Sequence, residues 1–317
     1  MLHLDETQIQ ELGVEWERTI DVIEEAVGCL RNNDFAQPLK PYLRYRDPRN
    51  RIIAMPAFVG GTIDMAGIKW IASFPGNILN GLPRAHCVVV LNDAATGEPR
   101  AIISTARISM IRTASVSGMM IRWFHKARRL SGITLGIIGF GPIGKTHLDM
   151  CLALLGSSIE KIIIYDIRPI APAELPDRPG IKIAASWKEA YTGADLFITC
   201  TVSAERYIDE RPKAGSLHLN VSLRDYRTEA YEWFRNAIIV DDWEEVCREK
   251  TDIEMMHVEK GLQKEDTRSI LDVVGDNCLA GYDRDTAILF NPMGMAVFDI
   301  AIGAHYYRTG LAKNRLT

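Results

Sequence analysis

The chain has 317 residues, of which 47% are hydrophobic and 25% are charged. These proportions exclude a disordered or fibrous protein and allow two domains, each with its own hydrophobic core. The formal net charge is -4, so no overall basic field favours nucleic acid or an anionic membrane as a partner. No apolar stretch reaches the length of a membrane span and no signal peptide is visible, so we predict a cytoplasmic protein.

The cysteines and histidines favour neither disulfides nor a metal centre. The six cysteines are scattered without a Cys-x-x-Cys pair, and the seven histidines show no metal-ligand spacing. Reduced, buried thiols are typical of such a pattern. We therefore predict no bound metal and no catalytic cysteine.

The first part of the chain predicts a helix followed by an antiparallel sheet. Apolar residues at helical spacing indicate an amphipathic helix over residues 20–30. Short apolar runs bounded by glycine, proline and Asp-Ala-Ala-Thr-Gly turns then predict the strands of a meander. The predicted strands are residues 51–58, 65–73, 87–91 and 101–104. A helix over residues 109–124, rich in small residues, leads into the next domain.

A glycine motif in the middle of the chain predicts a dinucleotide site. Gly139, Gly141 and Gly144 form Gly-x-Gly-x-x-Gly directly after the apolar run 133–138, and Asp166 closes the next apolar run. The first glycine permits a tight turn, the second lets a pyrophosphate approach the backbone, and the third lets the following helix, expected from near residue 145, pack closely. The predicted cofactor-binding residues are Gly139, Phe140, Gly141, Pro142, Ile143, Gly144, Asp166, Arg168, Thr201 and Ser222.

The acidic residue after the second strand favours NAD over NADP. Asp166 is placed to accept hydrogen bonds from the ribose hydroxyls and to repel a 2′-phosphate. Arg168 leaves an alternative open, because its guanidinium could neutralise that phosphate, although an arginine in such a loop is also typical of a solvated surface.

The chain beyond residue 180 alternates short apolar runs with helix-length segments, which is the pattern of a doubly wound parallel sheet. Ligands of such sheets bind at the carboxyl ends of the strands, so the loops 199–203 and 222–225 are expected to face the nicotinamide. The later predicted strands are residues 181–185, 195–201, 217–221, 237–240 and 288–290. An apolar helix through about residue 307 follows, and periodicity does not say which domain it joins.

Five charged residues are candidates for chemistry. Lys69 lies inside an apolar strand, so it either meets an anion or reaches solvent from an edge strand. Arg112, among apolar and small neighbours, either holds a substrate carboxylate or is an ordinary solvated helix residue. Asp225 either handles a proton or water or caps its loop. Lys40 and Arg44 add positive charge to the same domain, although each alone is typical of a surface.

Several of these residues belong to segments that resemble the ornithine cyclodeaminase/mu-crystallin family over nearly the whole chain. The segments are Gly67-Ile68-Lys69-Trp70, the turn 92–99, Ile111-Arg112-Thr113-Ala114, the glycine motif and Gly294-Met295-Ala296-x-x-Asp299. Residues 37–44, 51–56, 240–243 and 291–296 resemble one branch more closely. Members of that branch oxidise N-(2-amino-2-carboxyethyl)-L-glutamate in staphyloferrin B biosynthesis and other siderophore or antibiotic routes that use 2,3-diaminopropionate.

The resemblance implies an α/β fold, with a Rossmann-type NAD-binding domain over residues 118–289 and an α+β substrate-binding and dimerisation domain. The second domain would combine residues 1–117 with residues 290–317, and the active site would lie between the two domains of a homodimer. Lys69 and Arg112 fall on the substrate-binding lysine and arginine of the family, and Asp225 falls on its catalytic aspartate. We predict that Lys69 is catalytic as well, because it would stabilise the developing charge. Lys40 or Arg44 would supply another carboxylate contact, and the resemblance leaves both open.

The function that the resemblance implies is NAD-dependent oxidative cleavage of that substrate, through an imine, to 2-oxoglutarate and L-2,3-diaminopropionate. Two departures from the family pattern disfavour ornithine cyclodeamination: Leu223-Arg224-Asp225 stands where cyclodeaminases usually have Gly-Gly-Asp, and Asn291-Pro292 stands where many members have Lys-Ser. The alternatives are an ornithine cyclodeaminase, a ketimine reductase and a ligand-binding protein without enzymatic activity, as in mu-crystallin.

Overall fold

The computed structural model describes residues 1–314, so the last three residues of the expected 290–317 segment lie outside the described residues. The chain forms two compact units: residues 1–119 together with the segment from Gly294 onward, and Met120–Met293. Across the described part of the chain, no helix is long and apolar enough to cross a membrane.

The first unit is an antiparallel meander extended at one edge by a parallel strand. Its strands are β1 (Leu2–Leu4), β2 (Phe35–Ala36), β3 (Tyr42–Leu43), β4 (Arg51–Val59), β5 (Met65–Ser73), β6 (Ala85–Asp93) and β7 (Pro99–Ile103). The sheet order is β1-β7-β6-β5-β4-β2, with β3 also pairing with β4, and β1 runs parallel to β7. The meander predicted from the turn residues is therefore confirmed, whereas β1, β2 and β3 were too short to give a periodic signal.

Helices cover one face of this sheet. They are α1 (Glu6–Leu12), α2 (Trp16–Arg31), the start of α3 (Arg107–Arg128) and α10 (Ala296–Asn314). Contacts of α10 with β4, β5 and β6 place this helix directly on the middle strands. The side chains of Met55, Val59, Val89 and Leu91 point to that face and are buried, because alternate residues of a strand face opposite sides.

The second unit is built on a parallel sheet. Its strands are β8 (Ile133–Ile138), β9 (Ile159–Tyr165), β10 (Ile181–Ile183), β11 (Leu196–Thr199), β12 (Leu217–Asn220), β13 (Ile238–Val240), β14 (Arg268–Ser269) and β15 (Ile288–Asn291). Its helices are α4 (Pro142–Leu155), α5 (Trp187–Tyr191), α6 (Tyr231–Phe234), α7 (Trp243–Val246), α8 (Asp252–Lys260) and α9 (Ile270–Asp276).

The strand order of this second sheet, β10-β9-β8-β11-β12-β15-β13-β14, confirms the predicted Rossmann-type α/β fold. The chain leaves β8 toward β9 on one side and later returns to β11 on the other side. The carboxyl ends of β8 and β11 therefore form the switch point at which such sheets bind ligands. The helix after the glycine motif begins at Pro142, earlier than the predicted residue 145, because proline is well suited to the first helical position.

Candidate active site

The glycine motif forms a turn that only glycine can adopt. Gly139 follows β8 with φ +87°, and a Cβ atom there would lie 2.4 Å from the carbonyl oxygen of Cys200. A Cβ atom on Gly144 would lie 2.0 Å from the carbonyl oxygen of Gly139, so α4 packs directly on the turn. Both glycines are thus required for close backbone packing, as the motif predicts.

The second glycine lies at the amino terminus of α4 and is not closely packed. A Cβ atom on Gly141 would meet nothing nearer than the Nη2 atom of Arg168, at 3.7 Å. Pro142 occupies the first turn of α4, and Ile143 follows it. The backbone dipoles of a helix favour an anion at its amino terminus. This turn therefore fits the pyrophosphate of a dinucleotide.

Asp166 lies at the end of β9 beside the turn. Its Oδ2 atom accepts a hydrogen bond from the backbone amide of Phe140 at 2.7 Å, and its Oδ1 atom accepts one from the amide of Arg168 at 2.8 Å. The Asp166 side chain is only 8% exposed, whereas that of Arg168 is 62% exposed. A carboxylate has about four acceptor positions, so Asp166 keeps capacity for ribose hydroxyls.

Asp225 is buried in the loop after β12. Its carboxylate accepts hydrogen bonds from the hydroxyl groups of Thr201, which follows β11, and of Ser222. The structure therefore places Thr201 and Ser222, both predicted to bind the cofactor, beside the predicted catalytic Asp225. The hydroxyls orient the carboxylate, and a carboxylate so held is suited to accepting a proton.

Two residues that the sequence analysis did not single out hold this loop. The amide of Asp225 donates to Oδ2 of Asp252 at 3.0 Å, and the amide of Leu223 donates to Oδ1 of Asn220 at 3.1 Å. Leu223 adopts φ +67°, a left-handed conformation that costs a non-glycine residue about 1–2 kcal/mol. The hydrogen bonds from Asn220 and Asp252 offset that cost. An aspartate at a helix start is typical of a helix cap, so its spacing in the sequence carried no functional signal.

Lys69 lies in the middle of the first unit's sheet rather than at an edge. Its strand β5 pairs with β4 on one side and β6 on the other, so the edge-strand interpretation is wrong. Its Nζ atom lies 2.7 Å from Oδ2 of Asp299 on α10, and both side chains are 2% exposed. The ion pair with Asp299, which is far away in the sequence, offsets the free-energy cost of burying the lysine.

Arg112 shares the same carboxylate. Its Nε atom donates to Oδ1 of Asp299 at 2.7 Å, and Arg112 is buried rather than solvated. The positive side chains of Lys69 and Arg112 thus share the single carboxylate of Asp299. Burial lowers the pKa of Lys69 to about 8, with Asp299 opposing this shift and Arg112 adding to it. Burial acts to raise the pKa of Asp299, but Arg112 and Lys69 together hold it below its usual value.

Lys40 and Arg44 are in different surroundings. Lys40 is 3% exposed, and its Nζ atom donates to the carbonyl oxygen of Gly294 at 2.8 Å. Gly294 has φ +88°, and a Cβ atom there would lie 2.7 Å from Nη1 of Arg112. Arg44 is exposed and donates to the carbonyl oxygen of Pro48 at 2.9 Å. The buried cationic cluster of the first unit therefore consists of Lys69, Arg112 and the adjacent Lys40.

A sequence profile described as the ornithine cyclodeaminase/mu-crystallin family matches residues 4–313. The chain belongs to this family. It is 36% identical to the N-((2S)-2-amino-2-carboxyethyl)-L-glutamate dehydrogenase of Staphylococcus aureus, over 99% of this chain and 96% of that protein. It is 27% identical to the alanine dehydrogenase of Archaeoglobus fulgidus, over 99% of this chain and 96% of that protein.

Solved structures of similar chains have the same fold. The structure of Thermococcus litoralis Δ1-pyrroline-2-carboxylate reductase with NADH and L-proline superposes with a TM-score of 0.83 at 23% identity, covering 99% of this chain and 98% of that one. Membership of the ornithine cyclodeaminase/mu-crystallin family, expected from the sequence segments, is thus confirmed.

Proposed function

We propose that this protein is an NAD-dependent dehydrogenase that cleaves N-(2-amino-2-carboxyethyl)-L-glutamate to 2-oxoglutarate and L-2,3-diaminopropionate. Oxidation of the amine at the glutamate α-carbon gives an imine. Addition of water to the imine carbon and cleavage of the carbon–nitrogen bond then release the two products. In total, one substrate molecule, one NAD⁺ and one water give one 2-oxoglutarate, one L-2,3-diaminopropionate, one NADH and one proton.

The observation that carries this proposal is the pair of buried cations on one carboxylate. Lys69 and Arg112 hold two positive charges against the single negative charge of Asp299. A buried excess of positive charge is costly unless an anionic ligand meets it. The proposed substrate has three carboxylates, and Lys40, beside Arg112 across Gly294, adds a further cationic contact. Arg44 is the weaker candidate because it is exposed.

The second unit supplies the cofactor site and the proton acceptor. The turn at Gly139 to Gly144, with Asp166 at its side, fits NAD, which when bound accepts the hydride from the substrate carbon. Hydride loss requires an unprotonated amine nitrogen, and water addition requires a second proton transfer. Asp225 accepts the proton from the amine or from water, while Thr201 and Ser222 orient its carboxylate. Lys69, cationic when substrate binds, holds a carboxylate and stabilises the developing charge.

The identity of 36% to the Staphylococcus aureus dehydrogenase over nearly both chains supports this substrate above others in the family. Such an enzyme would supply 2,3-diaminopropionate to siderophore or antibiotic biosynthesis. The departures from the cyclodeaminase pattern at Leu223-Arg224 and Asn291-Pro292 support the same choice.

The test is to mix purified protein, NAD and N-(2-amino-2-carboxyethyl)-L-glutamate, to follow NADH absorbance and to identify the products by mass. Equal amounts of NADH, 2-oxoglutarate and diaminopropionate are expected. Proline and ammonia from ornithine without net NADH, or NADH-dependent reduction of a cyclic imine as the only activity, would contradict the proposal. Binding of NAD without turnover of any amino acid would instead support a ligand-binding protein.

We also propose a homodimer formed through the uncovered face of the first unit's sheet. Trp70 points away from α10, on the opposite side of β5 from Lys69, and is 43% exposed. Leu43 on β3 faces the same side and is 48% exposed, and Leu79 in the loop after β5 is 91% exposed. Exposed apolar patches of this kind are typical of protein interfaces, and a second copy of the chain would bury them.

A further inference from the structure

The Asp252 carboxylate is a fully buried acceptor for the loop that carries Asp225. Its Oδ2 atom accepts hydrogen bonds from the backbone amides of Asp225 and Tyr226, both at 3.0 Å, and from Nδ2 of Asn220 at 2.9 Å. Its Oδ1 atom accepts from Nε of Arg206 at 2.6 Å. One side chain thus collects four donors, two of them from the main chain at the candidate proton acceptor.

This arrangement ties the loop to the ends of the strands. Asn220, the last residue of β12, accepts at Oδ1 from the hydroxyl of Thr199 and from the amide of Leu223, both at 3.1 Å. Those bonds fix the amide orientation of Asn220, so its Nδ2 group must point to Asp252. The backbone amide of Asp252 in turn donates to the carbonyl oxygen of Leu223 at 2.8 Å. The left-handed turn at Leu223 is therefore held from both sides.

Helix α8 does not need Asp252 as its cap. Thr251 already occupies that position and accepts the amide of Glu254 at 3.1 Å. Burial, with a smaller contribution from the nearby Asp225, raises the pKa of Asp252 to about 6, even though Tyr226, Asn220 and Arg206 all favour the ionised form. A carboxylate that is costly to bury and is not needed by its own helix serves the loop it contacts.

We propose that Asp252 is a positioning residue: it holds the main chain of Asp225 so that the Asp225 carboxylate keeps the orientation needed for proton transfer. Asn220 assists by orienting the Asp252 carboxylate. An asparagine at position 252 would lose the negative charge and turn an NH₂ group toward a donor. If its oxygen keeps the place of Oδ2, the NH₂ group faces Arg206 and the amides of Asp225 and Tyr226 donate to a neutral, weaker acceptor. The consequence for turnover rests on the proposed function, whereas the hold on the loop does not.

The first arm of the test measures amide hydrogen exchange in the segment 220–227 of the full-length protein. Asp252→Asn is expected to accelerate exchange at Asp225 and Tyr226 by about tenfold or more, because local opening then becomes easier. The matched control is Asp242→Asn, which removes a carboxylate that caps α7 through the amide of Glu245 at 2.9 Å and does not contact the loop. It should leave exchange in this segment unchanged. Unchanged exchange in Asp252→Asn would overturn the proposal.

The second arm measures turnover of N-(2-amino-2-carboxyethyl)-L-glutamate at a temperature where all variants are folded. For Asp252→Asn, kcat should fall by about 10- to 100-fold, with KM and NADH affinity within about twofold, since only the proton acceptor is misplaced. Asp242→Asn should keep wild-type kcat. An unchanged kcat despite faster exchange would reduce Asp252 to a structural role and overturn the proposal.

Failure of the proposed function and failure of the Asp252 proposal give different results. If the wild-type protein does not turn over this substrate, the proposed function fails, and the exchange arm still decides whether Asp252 holds the loop. If Asp252→Asn does not fold, Asn220→Ala replaces it, because it removes one bond to Asp252 and the acceptor of the Leu223 amide, together with the bonds to Thr199 and Asn291. In that variant, amide exchange in the segment 220–227 should be faster and kcat should be lower, each by about three- to tenfold. Absence of these two effects would overturn the proposal.

Discussion

Lys69 Nζ lies 2.7 Å from Asp299 Oδ2 in the core of the first unit, and neither side chain is more than 2% exposed. The pair joins the middle strand of the sheet to the helix α10 that covers it. Because Arg112 uses the second oxygen of the same carboxylate, Asp299 holds both cations in place. A ligand carboxylate would meet two donors that are already positioned, which reduces the entropy lost on binding.

The lowered pKa of Lys69 predicts a pH limit on anion binding. The pKa is about 8, so the protonated form needed to bind a carboxylate disappears as the pH rises above that value. The affinity for 2-oxoglutarate, measured by calorimetry, should be constant from pH 6.5 to about 8 and then fall. In Lys69→Arg the fall should be absent up to pH 10, because a guanidinium stays protonated. A wild-type affinity that does not change up to pH 10 would contradict this assignment.

Removal of the shared carboxylate should destabilise the protein. Asp299→Asn leaves Lys69 and Arg112 as uncompensated buried charges, so the free energy of unfolding should fall by about 3–5 kcal/mol at pH 7. The loss should be smaller at pH 9.5, because Lys69 is then largely neutral. Urea unfolding at both pH values measures this. Glu11→Gln, at an exposed ion pair with Lys313, is the control and should change little.

Two glycine variants should separate folding from cofactor binding. Gly141→Ala adds a methyl group where the nearest atom is 3.7 Å away, so stability should be retained while NADH affinity falls by about tenfold or more. Gly144→Ala would place its methyl group 2.0 Å from a backbone oxygen, so it should lower the melting temperature as well. Thermal melts and NADH fluorescence titrations check both. Normal NADH affinity in Gly141→Ala would place the cofactor elsewhere.

Asp166 should decide the choice between the two nicotinamide cofactors. Asp166→Asn removes the negative charge that repels a 2′-phosphate and keeps one acceptor, so the ratio of kcat/KM for NADP to that for NAD should rise about tenfold or more. Arg168→Ala should then lower this ratio if the guanidinium, beside Gly141, contacts the added phosphate. An unchanged ratio in Asp166→Asn would show that another residue sets the preference.

The uncovered sheet face should control the oligomeric state. Trp70→Lys places a charge on the exposed apolar face, so sedimentation should shift from dimer toward monomer. Ile183→Lys, at a 42% exposed apolar residue of the second unit, is the matched control and should sediment like the wild type. A wild-type protein that is monomeric at micromolar concentration would refute the homodimer.

The sequence by itself determined the features that depend on neighbouring residues. Strand and turn signals are local, so the meander and the parallel strands were predicted close to their observed bounds. The glycine motif is equally recognisable from the local sequence, and backbone atoms of the turn or of the residue after β11 require Gly139 and Gly144. The family segments added predicted roles for Lys69, Arg112 and Asp225, and these roles stay predictions.

Only the tertiary structure decided which charges meet. Lys69 and Arg112 could each have been solvated, and it is the packing of α10 on β5 that brings Asp299 to both. The same packing distinguishes buried Lys40 from exposed Arg44, which lie four residues apart in a segment without periodicity. Asp252 resembles an ordinary residue of a helix start until the loop of Asp225 folds against it. Ion pairs and hydrogen bonds depend on distances in space, and residues far apart in sequence acquire those distances only when the core is packed.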